Sequence, residues 1–245
     1  MDTWSSSELQ QMVNAFHDTF MKWGMRINTD KTKILSIGAE EANISIAGRV
    51  LENVSEFCYL GSIVTKSGDC HLEVVERIQK ASRTFCSWKC RVFTSRGFSK
   101  NTKLRVFRSL VMPVLLYGCE TWAITQVDIR RLNTFHMRCI RSILGVSRLN
   151  KIRNSFNLKS AKEEPIECQI QHQRLQWLGY LQRMNVSRPQ KLLLRSKLHN
   201  VKCPQHGPKN RWIDTIQRDL VSLNIDPSQA NDRSSWRKLL QCRSP

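Results

Sequence analysis

The chain lacks any apolar run long enough to cross a bilayer, and its N-terminus lacks a basic-then-apolar leader. Synthesis in the cytosol and residence in cytoplasm or nucleus are therefore expected. It also lacks internal repeats, low-complexity tracts, a Gly-rich phosphate loop and a paired-glycine dinucleotide signature. His17, His71 and His136 fall in helical patterns with no serine or cysteine partner in view, so no nucleophilic centre is expected. The nine cysteines are odd in number and scattered through helical patterns, which suits reduced thiols and excludes a disulfide framework. Cys86 and Cys90 share a helix face and are expected to pack inside. The scarcest commodity is negative charge: 20 Asp and Glu face 39 Lys and Arg, a net charge of +19. That excess concerns partners rather than fold. Nucleic acid is the first polyanion it implies, with an acidic protein or an anionic membrane as runner-up.

What is present begins with a helical pattern. Leu9, Met12, Val13, Phe16, Phe20 and Trp23 recur at the spacing of one buried face. Ser5 and Glu8 fit a capping box, and Gly24 suits the left-handed C-terminal position. Asn28, Thr29 and Asp30 then signal a turn, followed by Lys31 and Lys33 before the strand-like Ile34, Leu35 and Ile37. Lysines on such a connection either sit solvated or reach a phosphate. From 33 to 65, short apolar runs around Ile44, Ile46, Val50, Val54, Phe57, Tyr59, Ile63 and Val64 alternate with Gly38, Gly48, Asn53 and Gly61. The pattern predicts a small antiparallel sheet with tight turns.

Helices follow. Leu72, Val75, Ile78, Ser82, Phe85 and Trp88 predict one from about Asp69 to Cys90. Leu104, Phe107, Leu110, Val111 and Val114 predict a second, which Pro113 should kink or end. Leu132, Phe135, Cys139, Ile140, Ile143 and Leu144 predict a third from about Asp128 to Gly145, and the three suggest a bundle. Residues 150–165 read as a polar linker. Ile166, Ile170, Trp177, Leu178, Leu181 and Met184 predict another helix, and Trp212, Ile213, Ile216 and Leu220 a short one after the basic, breaker-rich stretch from Lys202 to Arg211.

Basic charge concentrates on the middle helices. From Lys89 to Lys159 the chain carries Lys89, Arg91, Arg96, Lys100, Lys103, Arg105, Arg108, Arg130, Arg131, Arg138, Arg141, Arg148, Lys151, Arg153 and Lys159, against Glu120 and Asp128 alone. A solvated face mixes signs. A surface that tracks phosphates does not. A metal site has one candidate set, Cys168 and His172 four apart with Cys203 and His206 three apart, to be weighed against ordinary packing and loop residues.

Several blocks carry a resemblance. The helix ending at Gly24, with Asn28, Lys31, Thr32 and Lys33, resembles the palm segment after the catalytic Asp-Asp strand in LINE-type retrotransposon reverse transcriptases. Phe57-Cys58-Tyr59-Leu60-Gly61 resembles that family's primer-grip hairpin, and Tyr117-Gly118-Cys119-Glu120-Thr121-Trp122 resembles a block of its thumb. Gln173 to Met184 is similar to its Arg-Leu-Arg-Trp-Leu-Gly-His block, with Gln176 for an arginine and Tyr180 for a histidine. Asp232-Arg233-Ser234-Ser235-Trp236-Arg237 matches its Asp-Arg-x-x-Trp-Arg.

The resemblance implies an α+β chain: a partial palm over 1–66 with a primer-grip-like hairpin, a helical thumb over 67–149, the linker, and a basic helical region over 166–245. Tyr59, Leu60 and Gly61 would support the primer backbone. Lys89, Arg91, Lys100, Lys103, Arg105, Arg108, Arg130, Arg131, Arg138 and Arg141 would track RNA or DNA, with no membrane and no small-molecule substrate. Lys31 or Lys33 would protonate the departing pyrophosphate. A complete enzyme would need Mg2+ held by paired carboxylates. These 245 residues contain no adjacent aspartates, with Asp2, Asp18 and Asp30 standing apart, so they are expected to bind no such cofactor and to be unable to polymerise alone. A relic of such an element would instead expose an apolar face around Phe16, Phe20 and Ile34.

Overall fold

A computed structural model describes residues 6–37, 41–195 and 211–241, which divide into two compact units with a boundary between Cys70 and His71. The first is small and mixed; the second is helical.

The first unit opens with α1, Ser6–Lys22. Its end follows the glycine rule. Gly24 has φ +69°, the Met25 amide donates to the Phe20 carbonyl at 2.9 Å, and the Gly24 amide donates to Met21 at 3.0 Å. Ser5, the expected cap, lies outside the described residues. No residue of α1 is buried, contrary to the expected buried face. Leu9 and Val13 lean half-buried on a core of Ile34, Ala42, Ile44, Ile46 and Leu51, while Phe16 and Phe20 stack on one another 6.2 Å apart, with Phe16 53% exposed. Of the apolar face expected on a relic, Phe16 is thus exposed, Phe20 half-exposed and Ile34 buried.

The predicted antiparallel sheet is instead three separate strand pairs. β1 (Lys33–Ile34) pairs parallel with β4 (Glu52–Asn53), β2 (Ser45–Ile46) antiparallel with β3 (Arg49–Val50), and β5 (Glu56–Tyr59) antiparallel with β6 (Ser62–Thr65). The runs are too short to pair across a wider sheet. Asn53, read as a turn, lies in β4. Gly38 lies outside the described residues. Both hairpins close with two residues at positive φ, Ala47-Gly48 (49° and 79°) and Leu60-Gly61 (49° and 85°), the conformation that matches strand twist. Leucine at +49° is strained where asparagine is tolerated. Leu60→Asn should stabilise the first unit by roughly 0.5–1 kcal/mol, read by thermal melting; a lower melting temperature would contradict the strained turn.

The second unit begins with α2 (His71–Trp88), whose stripe Val74, Arg77, Ala81 and Phe85 is buried. A π-turn, Lys89–Phe93, follows. α3 (Lys100–Val106), a π-turn over Phe107–Val111 and α4 (Met112–Leu115) make one interrupted helix. Pro113 stands in the first turn of α4, where its missing N–H costs nothing, and the wide turn lies just before it. Leu110, expected inside, is exposed there. α5 (Gln126–Leu144) starts at Thr125, whose hydroxyl accepts from the Asp128 amide, and stops at Gly145, φ +70°. Phe85, Phe93, Phe107 and His136 form the aromatic heart of this bundle.

The stretch 150–165, read as a linker, carries α6 (Asn154–Ala161). Arg108 holds its far end, donating to the Ala161 and Lys162 carbonyls at 3.1 and 2.9 Å and to Glu163 at 2.6 Å. α7 (Ile166–Arg183), α8 (Pro189–Arg195), α9 (Trp212–Ser222) and α10 (Arg233–Gln241) complete the unit. Residues of the expected thumb and C-terminal regions thus share one compact unit. Among the described residues no helix is long and apolar enough to cross a membrane. All seven described cysteines are free, but Cys86 and Cys90 are exposed rather than packed: Cys86 lies off the inward Val74–Ala81–Phe85 stripe of α2, and Cys90 lies in the π-turn whose buried residues are Val92 and Phe93.

Candidate nucleic-acid interface

The charged side of the bundle follows from which side is apolar. α5 turns Leu132, Phe135, Cys139, Ile140 and Ile143 inward, and at helical spacing that leaves Arg130, Arg131, Thr134 and Arg138 outward. Against them α2 presents Val75, Ile78 and Gln79. The result is a groove of about 500 Å³ with an apolar floor and three arginines on its rim. Two of these are held in place. The Arg138 guanidinium lies over the Phe135 ring at 5.4 Å. Arg131 lies 3.6 Å from Asp128 and 2.6 Å from His71 Nε2. Asp128 is itself buried, accepting from the Thr125 hydroxyl at 2.7 Å and facing His71 Nδ1 at 2.7 Å. The tautomer with hydrogen on Nδ1 donates to Asp128 and accepts from Arg131. This His71–Asp128–Arg131 set joins residues some sixty positions apart, which no local pattern announces.

The other basic residues fall into two groups. Lys89 and Arg91 on the first π-turn, and Lys100 and Arg105 on α3, are exposed, and Lys103 is half-buried; among the described residues none of them forms an ion pair. Arg108 and Arg141 are taken up by the fold. Arg108 caps α6 as described, where burial pushes the Glu163 carboxyl up from its ordinary value against the pull of the guanidinium. Arg141 donates to the Ile152 carbonyl at 3.1 Å and to Asn154 at 2.9 Å. Neither guanidinium is idle.

In the first unit, Tyr59 and Leu60 stand 62% and 75% exposed at the β5–β6 tip, and Phe57 is exposed too, so the hairpin's aromatics do not face a core of their own. Asn28 makes the expected turn, its side-chain oxygen accepting from the Asp30 and Lys31 amides at 3.0 and 3.1 Å. Lys31 is exposed. The parallel β1–β4 register sets Lys33 opposite Glu52, and its amine is bound there at 2.5 Å. Asp18 on α1 and Asp30 in the turn are both exposed, and no three potential metal ligands cluster among the described residues. Those acids do not build a two-metal centre. Of the candidate zinc ligands, Cys203 and His206 lie outside the described residues. Cys168 is half-buried, its thiol pushed up by burial and then by Glu164 and Glu167, and His172 Nε2 meets Gln176 at 2.6 Å.

The remaining blocks meet in the unit's interior. Gly118 takes φ +73°, turning the buried Cys119 and Trp122 inward. The Cys119 thiol reaches Gln173 at 3.0 Å and is pushed up to about 12 by burial. Trp212 Nε1 donates to the Glu120 carbonyl at 2.7 Å. Arg174 and Asp219 form a buried pair at 2.7 Å that ties α9 to α7. Trp236 lies against Gly179, its indole N–H donating to the Leu175 carbonyl at 3.0 Å. Here the residues that resemble family blocks do structural work.

No protein-family model matches the chain, and no solved structure matches it. It is similar to a transposon-derived protein of Caenorhabditis elegans, 23% identical over 249 residues, covering 95% of this chain and 87% of that protein. It is also similar to the RNA-directed DNA polymerases of the mobile element jockey from Drosophila melanogaster (23% identical) and Drosophila funebris (22%), over 58% of this chain. The match spans 16% of each polymerase's length. The similarity is thus to retrotransposon-derived proteins, distant throughout and partial for the polymerases.

Proposed function

We propose that this chain is a primer–template-binding part of a retrotransposon RNA-directed DNA polymerase, gripping nucleic acid without carrying the metal-binding carboxylates. The α2–α5 groove carries the reading. Arg130, Arg131 and Arg138 line it, and among the described residues only Arg131 of the three has a carboxylate at hand, the buried Asp128, on a chain of net charge +19. Two of the three are pre-set by Phe135 and Asp128, which lowers the ordering cost of meeting phosphates. Lys89, Arg91, Lys100, Lys103 and Arg105 extend the basic surface. The similarity to the jockey polymerases supports a nucleic-acid partner, and the exposed Tyr59-Leu60 tip supports a primer contact in the first unit. Lys31, exposed, is the better placed of the two accessory lysines, because Lys33 already neutralises Glu52.

The test is a salt series. Binding to a labelled RNA–DNA primer–template should weaken steeply between about 50 and 200 mM salt, linearly in log–log form. Arg130→Ala with Arg138→Ala should reduce the slope by about two, one per lost phosphate contact. A slope near zero, or one unmoved by the double substitution, would defeat the proposal. Nucleotide incorporation by the 245-residue protein should be absent, and its appearance would overturn the non-catalytic reading.

A further inference from the structure

A second basic cavity lies elsewhere in the helical unit. It measures about 660 Å³, the size of a small-ligand site. Arg183 comes from the end of α7, Arg188 from the connection to α8, and Arg233 and Arg237 from α10. No carboxylate is among the lining residues. Asp232, next in sequence to Arg233, spends its oxygens on the Ser234 and Ser235 amides, at 3.3 and 2.9 Å, capping α10. Gathering four like charges costs stability unless an anion offsets them. The frame around them is firm. Arg183 donates one arm to the Ala230 carbonyl at 2.7 Å, and the Trp236 wall is 3% exposed and hydrogen-bonded to α7. Tyr180, also in the lining, stacks on Trp177 with centroids 5.1 Å apart and leaves half its surface open.

We propose that this cavity is a nucleotide site: its arginines take a phosphate of a single-stranded polynucleotide, and the open face of Tyr180 takes the adjoining base. Guanidinium groups recognise phosphate oxygens in pairs, and an aromatic face accepts any base, so the site favours single strands without reading sequence. It uses residues distinct from the α2–α5 groove and stands without it.

The experiment is fluorescence anisotropy of the full chain with a short fluorescein-labelled oligothymidylate at low salt. Arg233→Ala with Arg237→Ala should weaken binding at least about tenfold, and Tyr180→Ala about tenfold, while Tyr180→Phe stays within about twofold. Circular dichroism melts confirm that each variant is folded. The substitution Arg233→Lys with Arg237→Lys keeps charge and fold but loses the paired hydrogen bonds, and should fall between wild type and the double alanine. Unchanged affinity in the folded arginine variants overturns the proposal. So does an effect of the arginines with none from Tyr180→Ala, or full displacement by inorganic phosphate at matched ionic strength, since either marks a bare phosphate site. The groove variant Arg130→Ala with Arg138→Ala should leave the Tyr180→Ala effect intact, so failure at one site is legible apart from failure at the other.

Discussion

Gly179→Ala and Trp236→Ala, made singly and together, should destabilise the protein in amounts that do not add. A methyl group on Gly179 would sit 2.6 Å from Cδ1 of Trp236 and closer still to its Nε1. The indole cannot swing away cheaply. It is 3% exposed, its N–H is bound to the Leu175 carbonyl at 3.0 Å, and its neighbours Leu175, Leu178, Ile216, Leu220, Ile225, Ala230 and Leu240 form one core. Overpacking of this kind costs about 1–3 kcal/mol, less the roughly 1 kcal/mol that alanine gains over glycine inside a helix. Trp236→Ala should cost about 3–5 kcal/mol, since it empties the centre of that core and strips a helix carbonyl of its partner. With the indole gone the clash disappears. Gly179→Ala in the Trp236→Ala background should then be neutral or stabilising by up to about 1 kcal/mol. Urea melts of the four proteins measure the cycle. Additive losses would mean that glycine is there for some reason other than the tryptophan.

That contact also explains why two blocks some fifty residues apart keep company. Each read as a motif in the sequence, yet neither revealed that one makes room for the other. What was legible was local and carried by single residues with few alternatives: Gly24 ending α1, Asn28 folding the turn, Gly48 and Gly61 closing hairpins, Gly145 stopping α5. The long amphipathic stripe of α5 was legible too, but that of α2 was not: of the expected Leu72, Val75, Ile78, Ser82, Phe85 and Trp88 only Phe85 is buried, while Leu72 and Trp88 are exposed and the inward side is Val74, Arg77 and Ala81. Nor was α6 legible, because it buries only Asn157 and Ala161 and owes its end to Arg108 from another helix. The parallel β1–β4 pair escaped because two-residue strands leave no periodicity to read.

The candidate interface was half legible. A count of lysines and arginines finds a basic region but cannot separate Arg130 and Arg138, which face the groove, from Arg108 and Arg141, which are bound to carbonyls of the fold. It also passes over Arg183, Arg188, Arg233 and Arg237, because cavity walls built from three segments look dilute in one dimension. The available signal was that no Asp or Glu stands from Arg183 to Arg195 or from Arg233 to Gln241. The histidines divide similarly. All three lie on helical patterns, yet His71 joins a polar network while His136 is sealed in the aromatic core.

His136 sets the second large effect, a loss of stability in mild acid. The ring is fully buried, stacks on Phe107 with centroids 5.9 Å apart, and neither nitrogen has a hydrogen-bond partner among the described residues. Burial pulls its pKa down from 6.5 to about 4, because the charged ring would lose its water without gaining a partner. Above about pH 6.5 the ring is neutral whether folded or unfolded and contributes no pH dependence. As pH falls from there towards 4, the unfolded chain takes up a proton that the folded chain refuses, so stability drops by about 3 kcal/mol in all and then levels. His136→Phe should remove this component. The difference between wild type and variant in urea midpoint should be nearly constant from pH 8 to 7, then widen in the variant's favour down to pH 4. Near pH 7 the variant should already be the more stable, since two buried nitrogens without partners are replaced by ring carbons in a stack that already accepts an aromatic ring. Parallel pH profiles for the two proteins would show that the imidazole finds water or a partner in solution, and that the aromatic core is less closed than its geometry indicates.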